Sequence, residues 1–321
     1  MKKPFLLIFI FFISISCFAQ HIASADEAFL KTKEDSLETF SNQIAFSVQP
    51  QDKFSADSIF TRMLVKALRT PYSFSYPFDS LQTVSIVYPS DSSFRIFTWQ
   101  MVLDDNVIFQ HGAIQMKTMD GSLKLFPLID KSNTIDDLTD TITDNKSWIG
   151  AVYYKIIETQ FNNHNYYTLL GYDEDDLRCT RKIIEVLHFN EHNQPVFGGP
   201  YFVFEKSLII RPSVKRYVME YKKDASPKLN YDPELGMIVV EHLESESGEP
   251  KKPWTLIPDG DYEGFKWEGG QWIHVDKIFN QITPEGQEPV PAPVKETNKI
   301  QFDDTNSSGS SGADKTTAPK K

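Results

Sequence analysis

The chain has 321 residues, of which 40% are hydrophobic and 24% are charged, a balance that is typical of a globular protein and excludes a fibrous or wholly disordered one. Its formal net charge is −11. Nucleic acids and anionic membrane surfaces are bound through basic faces, so this acidic balance argues against both as partners.

Residues 1–19 have the layout of a secretory signal peptide. Two lysines precede an apolar run from Phe5 to Ile13, and small residues follow as far as Ala19. The run is shorter than the roughly 20 apolar residues that a membrane-spanning helix needs. We therefore expect cleavage after Ala19 and export of a soluble mature chain to the periplasm or the medium, with no transmembrane segment in the mature chain.

The chain has two cysteines, Cys17 and Cys179. Lipidation of Cys17, as in bacterial lipoproteins, is the alternative to cleavage after Ala19, although Ser14 stands where a lipobox usually has an aliphatic residue. If Cys17 leaves with the signal peptide, Cys179 has no intramolecular disulfide partner. Its position in a strand-like run then predicts a small packed side chain rather than a nucleophile.

Residues 20–79 are predicted to form a helical segment, because their apolar residues recur with the spacing of a helix face. The second helix of the segment is predicted over 56–69, with Asp57 or Ser55 as its N-cap and Pro71 ending it. The residues of the first pattern are Leu37, Phe40 and Ile44, and those of the second are Phe60, Met63, Leu64, Ala67 and Leu68.

From residue 81 the hydrophobic period changes to 2, and residue types that favour strands dominate. Turn signals such as Asn162-Asn163 and Gly269-Gly270 separate the candidate strands. Short connections between so many strands predict antiparallel pairing, with a crossover helix possible only at 133–142. Residues 80–283 are therefore predicted to be one mainly β domain, a large antiparallel sandwich or curved sheet. The candidate strands are 82–88, 94–103, 107–119, 122–128, 148–159, 164–172, 178–189, 200–210, 214–223, 236–243, 262–267 and 271–279.

The run from Ile149 to Ile157 is apolar on both faces. Such a strand lies between the core and a second layer, which we expect to be the N-terminal helical segment. From Pro284 the composition changes to proline and small polar residues that cannot offset the entropy of ordering. We therefore predict a disordered tail over 284–321.

One motif matches a metal-site signature, because His188-Phe189-Asn190-Glu191-His192 has the H-x-x-E-H spacing of a zinc protease. That chemistry needs both histidines on one helical turn. Residues 183–187 have a strand pattern, and Asn190 and Pro195 favour a turn. We therefore assign no metal ligand and no cofactor to this motif.

Two acidic stretches, Asp173–Asp176 and Asp259–Glu263, are predicted to be strand connections. Their oxygens could hold Ca²⁺, but the regular calcium-loop spacing is absent, and solvated turns are the simpler interpretation. The sequence contains no P-loop, dinucleotide fingerprint, nucleophile elbow or C-x-x-C motif, so no catalytic residue is assigned.

Aromatic residues make up 13% of the chain. Most of them are predicted to be sheet core, with an exposed platform for sugars or peptides as the alternative. The clusters are Phe94, Phe97 and Trp99; Tyr153 and Tyr154; Tyr166 and Tyr167; Phe197, Tyr201, Phe202 and Phe204; and Phe265, Trp267 and Trp272.

Six segments carry a resemblance to known proteins: Cys17–Gln20, Phe94–Gln100, Trp148–Tyr154, Tyr167–Asp173, Phe197–Pro200 and Pro258–Phe265. They resemble segments of a family of exported proteins from Bacteroidota-type bacteria. The resemblance spans most of the β region, and it implies a bacterial, exported protein. It implies no activity, cofactor or functional residue.

These patterns together predict a non-catalytic binding or structural module of the cell envelope, whose partner is an envelope or extracellular ligand. The alternative is a hydrolase that acts on glycans or peptides through carboxylates in the strand connections, because such carboxylate pairs leave no local sequence signature.

Overall fold

The computed structural model describes residues 22–104, 107–204 and 214–279. The predicted signal peptide and the predicted tail lie outside the described residues, as does part of the predicted strand 200–210. The structure is 44% strand and 21% helical, which confirms the mainly β class. Within the described ranges, no helix is long and apolar enough to cross a bilayer.

Two helices, α1 (Ser24–Phe46) and α2 (Pro50–Leu68), form the N-terminal segment and pack against each other. The predicted start of the second helix at residue 56 is wrong. A proline in the first turn suits a helix start, because its fixed φ is helical and the N–H that it lacks would be unpaired there. Asp57 and Ser55 therefore lie inside α2 and do not cap it, and Asp57 instead accepts a hydrogen bond from the Trp99 indole.

Fifteen strands follow within the described residues. Their bounds are β1 Ser85–Val87, β2 Phe94–Asp104, β3 Val107–Met116, β4 Lys124–Ile129, β5 Thr143–Asp144, β6 Val152–Phe161, β7 His164–Asp173, β8 Cys179–Phe189, β9 Pro195–Phe197, β10 Phe202–Val203, β11 Tyr217–Lys222, β12 Leu229–Asp232, β13 Met237–Ser245, β14 Leu256–Glu268 and β15 Gln271–Val275.

These strands form three sheets in the described part of the chain. The first sheet has the order β1-β2-β3-β4, and the third has the order β10-β15-β14-β13-β12. The second has the order β5-β9-β8-β7-β6, with β11 paired to β8 beside β9. Pairing is antiparallel, as predicted, except between the short β10 and β15, which run parallel.

The helices and the three sheets are stacked as successive layers. The helices pack on one face of β2 through Phe97 and Trp99. The opposite face of β2, with Phe94 and Ile96, packs on the second sheet, whose far face packs on the third sheet at Ile184. The second sheet is therefore buried on both sides by other sheets. The layer expected over its doubly apolar strand β6 is a sheet and not the helical segment.

Tight turns fix the register of two hairpins. Asn162-Asn163 joins β6 to β7 with φ values of 49° and 62°, and Gly269-Gly270 joins β14 to β15 with φ values of 59° and 87°. Positive φ at both central residues gives a turn whose twist matches that of the paired strands. The region 133–142 contains no α-helix, only the end of a short 3₁₀ turn at Ser132–Thr134 followed by irregular chain.

Candidate functional site

A cleft of about 640 Å³ opens between the second and third sheets. This volume lies within the range of about 300–1,000 Å³ that is usual for ligand-binding sites. Strands β11, β13 and β14 and the irregular segment 132–139 supply most of its surface. The lining residues are Ser132, Asn133, Ile135, Asp136, Asp137, Leu138, Thr139, Arg181, Tyr217, Val218, Met219, Glu220, Glu241, His242, Leu243, Pro253, Leu256 and Glu263.

Strand β11 borders the cleft with its edge rather than with one face. Four consecutive residues, Tyr217–Glu220, line the cleft, although neighbouring side chains of a strand point to opposite faces. Among the described residues, β8 is the only strand that pairs with β11. No described strand pairs with the other edge of β11, which lies on the side of the cleft.

A fully buried ion pair holds the irregular segment in place. Arg216 Nε donates to Glu185 Oε2 at 3.0 Å, and neither side chain has any exposed surface. The other guanidinium N–H groups of Arg216 donate to the carbonyl oxygens of Leu138 and Thr141 and to the hydroxyl of Thr143. The segment that lines the cleft is thus tied to the start of β11.

A series of hydrogen bonds leads from Trp148 through Tyr153 to the buried carboxylate of Glu185. Trp148 Nε1 donates to the Tyr153 hydroxyl at 2.6 Å, and this hydroxyl donates to Glu185 Oε1. Burial and the negative charge of Glu185 raise the pKa of Tyr153 well above its usual value. Tyr153 therefore remains a neutral donor, and both oxygens of the carboxylate are occupied.

The cleft carries an excess of negative charge. Five carboxylates line it, and among the described lining residues Arg181 is the only Lys or Arg. Arg181 is already paired with three carboxylates, at 3.3 Å from Asp173, 2.5 Å from Asp175 and 2.8 Å from Glu220. The cleft therefore favours a cationic group. The five lining carboxylates are Asp136, Asp137, Glu220, Glu241 and Glu263.

Asp173 is the last residue of β7, whereas the rest of the acidic stretch, 174–176, lies in the connection to β8, as predicted. Protein groups contact the carboxylates of this stretch. Glu174 Oε1 lies 3.5 Å from Lys223 Nζ. Asp176 Oδ1 accepts hydrogen bonds from the two backbone N–H groups of Arg178 and Cys179, each at 2.7 Å. These contacts assign the stretch to structural ion pairs and a turn, rather than to the open oxygen cage that Ca²⁺ requires.

Asp175 has a raised pKa within this stretch. Burial raises the pKa of Asp175 to about 6, Arg181 opposes that rise, and the neighbouring Asp173 and Glu220 add to it. The physical reason is that one guanidinium cannot neutralise three carboxylates in a half-buried position.

The stretch Asp259–Glu263 is not a strand connection, contrary to the prediction. It lies inside β14, where the pairing register with β13 shifts at His242. Gly260 adopts a φ of +91° there, which a residue with a side chain would rarely adopt. His242 Nδ1 lies 2.6 Å from Asp259 Oδ2, so the irregular register brings a histidine–carboxylate pair to the cleft.

A second histidine–carboxylate pair is more deeply buried. Glu263 on β14 and His274 on β15 are only 8% and 7% exposed, and Oε2 of Glu263 lies 3.0 Å from Nε2 of His274. The hydroxyl of Tyr217 donates to Glu263 Oε1 at 3.1 Å. Burial alone would raise the pKa of Glu263, but the hydrogen bonds from His274 and Tyr217 and the charge of His274 hold it below its usual value.

The histidines of the H-x-x-E-H motif lie on different elements, as the sequence predicted. His188 is in β8, and its Nδ1 lies 3.4 Å from the hydroxyl of Tyr201. His192 is exposed in the turn that leads to β9. The motif therefore lacks the helical turn on which the zinc chemistry of this signature depends.

Most of the predicted aromatic clusters contribute to the core, with Phe94 and Phe265 among their fully buried members. A partly exposed group remains at Tyr166, Tyr201 and Trp267, in which the ring of Tyr166 is inclined by 62° to Tyr201 and by 46° to Trp267. Inclined rings pack against one another and do not offer a flat platform for a sugar ring. The acidic cleft is therefore the better candidate site.

The chain matches no family model, and no curated protein or solved structure is similar to it at the required significance. The function must therefore be inferred from the cleft itself. Reasoning from the sequence missed the residues that shape this cleft, because they come from five separate stretches of the chain. Those residues are Asp136, Glu185, Arg216, Glu241, His242 and His274.

Proposed function

We propose that the protein is an exported, non-catalytic binding module that takes an extended, positively charged polypeptide segment in the cleft between the second and third sheets. The observation that carries the proposal is the combination of an acidic cleft with an edge of β11 that pairs with no other strand in the described part of the chain. Export follows from the signal-peptide pattern of residues 1–19 and from the resemblance to exported Bacteroidota-type proteins.

The edge of β11 on the side of the cleft favours a polypeptide over a compact small molecule, since no described strand pairs with it. An extended segment can add to a sheet edge as a further strand, in which main-chain hydrogen bonds supply affinity and side-chain contacts supply specificity. β11 has six residues, enough to pair with a short segment of the ligand. The cleft beside it would receive the alternate side chains of that segment.

The charge of the cleft selects for lysine and arginine side chains on the ligand. Asp136 is exposed, and Glu241 lies at the end of the β13 pairing with β12, where it also accepts the backbone N–H of Lys228 at 2.8 Å. An exposed charge pair at about 4 Å contributes about 1 kcal/mol in water, so a ligand with two cations gains modest affinity that salt weakens.

The hydrolase alternative receives less support from these residues. A hydrolase would need carboxylates that are free to act as acid and base, but Asp173 and Asp175 both form ion pairs with Arg181. Asp259, from the other acidic stretch, accepts from His242 and from a backbone N–H in its own strand. Groups held in this way support the structure of the cleft rather than proton transfer to a bound substrate.

The test is binding of a labelled ten-residue peptide of alternating lysine and threonine to the mature chain, residues 20–321, measured by fluorescence polarisation. We expect saturable binding that weakens in high salt. A peptide with glutamate in place of lysine should not bind. A third peptide has the basic sequence but carries N-methyl groups on the backbone nitrogens that would pair with β11. It should bind at least about 10-fold more weakly, because strand addition needs those N–H groups.

A charge-matched pair of variants locates the site. Asp136→Asn with Glu241→Gln should weaken binding by about 5- to 30-fold, whereas Asp35→Asn with Glu191→Gln, which removes the same charge away from the cleft, should change it less than twofold. Equal losses in both double variants, or no saturable binding to the parent protein, would refute the proposal. Cleavage of the peptide, followed by mass spectrometry, would establish the hydrolase instead.

A further inference from the structure

The hairpin of β14 and β15 brings three potential metal ligands together at the margin of the core. Its register pairs Phe265 with His274 and Gly264 with Val275, and Glu263 and Asp276 are the residues next to the last of these pairs. Side chains at 263 and 265 point to the same face, as do those at 274 and 276. One ligand atom from each of Glu263, His274 and Asp276 lies within 4.8 Å of the other two.

The cluster places two carboxylates beside a single imidazole. An oxygen of Asp276 lies within 4.8 Å of an oxygen of Glu263, which is almost wholly buried, and two carboxylates this close repel. The hydrogen bond between His274 and Glu263 accounts for two of the three groups. It leaves the carboxylate of Asp276 facing another carboxylate, and a positive ion between them would remove that repulsion.

We propose that Glu263, His274 and Asp276 bind one divalent transition-metal ion, for which Zn²⁺ is the best-fitting probe. One imidazole nitrogen and two carboxylate oxygens suit Zn²⁺, and three protein ligands leave a fourth position open for water or a ligand group. Ca²⁺ fits less well, because it takes six to eight oxygen ligands and no nitrogen.

A hydrogen bond from outside the three proposed ligands orients one of them. The Tyr217 hydroxyl, from the second sheet, donates to Glu263 Oε1 and leaves Oε2 directed toward His274. Outer hydrogen bonds of this kind fix the orientation of metal-binding carboxylates. Since Glu263 also lines the cleft, the open coordination position would lie at the cleft wall. The metal site does not depend on the proposed peptide site, whose test variants change other residues.

The experiment is a titration of chelator-treated mature chain with ZnCl₂ by isothermal calorimetry, with bound zinc counted by atomic absorption after dialysis. We expect one equivalent of zinc per chain. Asp276→Asn is the first variant, because Asp276 is exposed and its substitution should leave the fold intact. Glu263→Gln is the second, with far-UV circular dichroism to verify folding. Each should weaken zinc binding at least about 10-fold.

His242→Asn is the matched control, because it removes the other histidine–carboxylate pair of the same cleft. It should retain zinc affinity within about twofold of the parent protein, since the hydrogen bond of His242 is to Asp259 and not to a proposed ligand. The proposal is overturned if the parent chain binds no zinc, if Asp276→Asn binds as tightly as the parent, if His242→Asn abolishes binding, or if Ca²⁺ is bound in preference to Zn²⁺.

Discussion

Replacing Arg216 by methionine tests whether the buried ion pair organises the cleft. In the structure the guanidinium of Arg216 has no exposed surface, and neither does the carboxylate of Glu185 that it contacts. Removing the arginine would leave a buried carboxylate with only the Tyr153 hydroxyl as its neighbouring donor. It would also leave the carbonyl oxygens of Leu138 and Thr141 without their side-chain donor.

The expected loss of stability is large. Breaking a buried ion pair by removing one partner costs about 3–5 kcal/mol, because an uncompensated charge remains in the interior. We therefore expect the free energy of unfolding of Arg216→Met to fall by about 4 kcal/mol. For a domain of this size, that loss lowers the midpoint of thermal unfolding by roughly 8–16 °C.

The assay is urea unfolding of the mature chain, followed by tryptophan fluorescence, which reports on Trp148 in the same series of hydrogen bonds. Lys222→Met is the control, since Lys222 lies on the neighbouring β11 and forms an exposed pair with Glu246 at 2.8 Å. It should leave the urea midpoint almost unchanged, because exposed ion pairs contribute little to stability. The double variant Glu185→Leu with Arg216→Met should recover much of the loss, because no buried charge remains.

Two outcomes would refute this reasoning. A loss below about 1 kcal/mol in Arg216→Met would mean that water or a neighbouring donor compensates Glu185, so that the pair is not truly buried. A double variant that costs the sum of the two single variants would mean that the two side chains are not energetically coupled.

Two further predictions concern titratable groups. Asp175→Asn should stabilise the protein by up to about 1 kcal/mol at pH 7.5 and by much less at pH 4.5, allowing for solvent screening. The sign follows because burial raises the pKa of Asp175 to about 6, so the folded state favours the protonated carboxyl, and this stabilisation is lost as the pH rises from about 4 to 6. Urea unfolding at pH 4.5 and pH 7.5 checks this prediction. A variant less stable than the parent protein at pH 7.5 would contradict it. Cys179, whose pKa burial raises to about 11, should not react with a thiol reagent in the native mature chain at pH 8 but should react fully in urea, and rapid native labelling would contradict the assigned burial.

Local patterns in the sequence predicted much of the secondary structure. The strands over 94–103 and 164–172 were located to within one residue at each end, because residue types that favour strands and the turn residues beside them are properties of the chain itself. The turns Asn162-Asn163 and Gly269-Gly270 were predicted from residues that accept positive φ. The helical segment was also predicted, except for the start of its second helix.

Long-range relations were not predictable in the same way. A strand with apolar residues on both faces indicates two covering layers but not their nature, so β6 was assigned a helix where the structure has a sheet. Glycine and aspartate in Asp259–Glu263 indicated a connection. Pro258 before the stretch, and Tyr262 and Glu263 at its end, pair with β13, so the chain stays within one strand although residues 259–261 lie in the register shift.

The metal-ligand set could have been found from the sequence. A two-residue Gly269-Gly270 turn fixes the register of its hairpin, and counting outward from that turn places Glu263 and Asp276 next to the last pair of the hairpin, with His274 on the same face as Asp276. The cleft could not have been found from the sequence, because its two sides belong to different sheets. No local sequence signal indicates the distance between the edges of two sheets.

The buried charge of Arg216 links the stability of the fold to the shape of the cleft. An irregular segment has carbonyl groups with no strand partner, and buried carbonyls need a donor. Arg216 donates to two of them, in the segment that also carries Asp136 and Asp137. An apolar replacement of the ion pair can restore stability but supplies no donor. The double variant should therefore unfold at nearly the parental urea concentration yet bind the basic peptide more weakly, because its cleft carboxylates are no longer held in place.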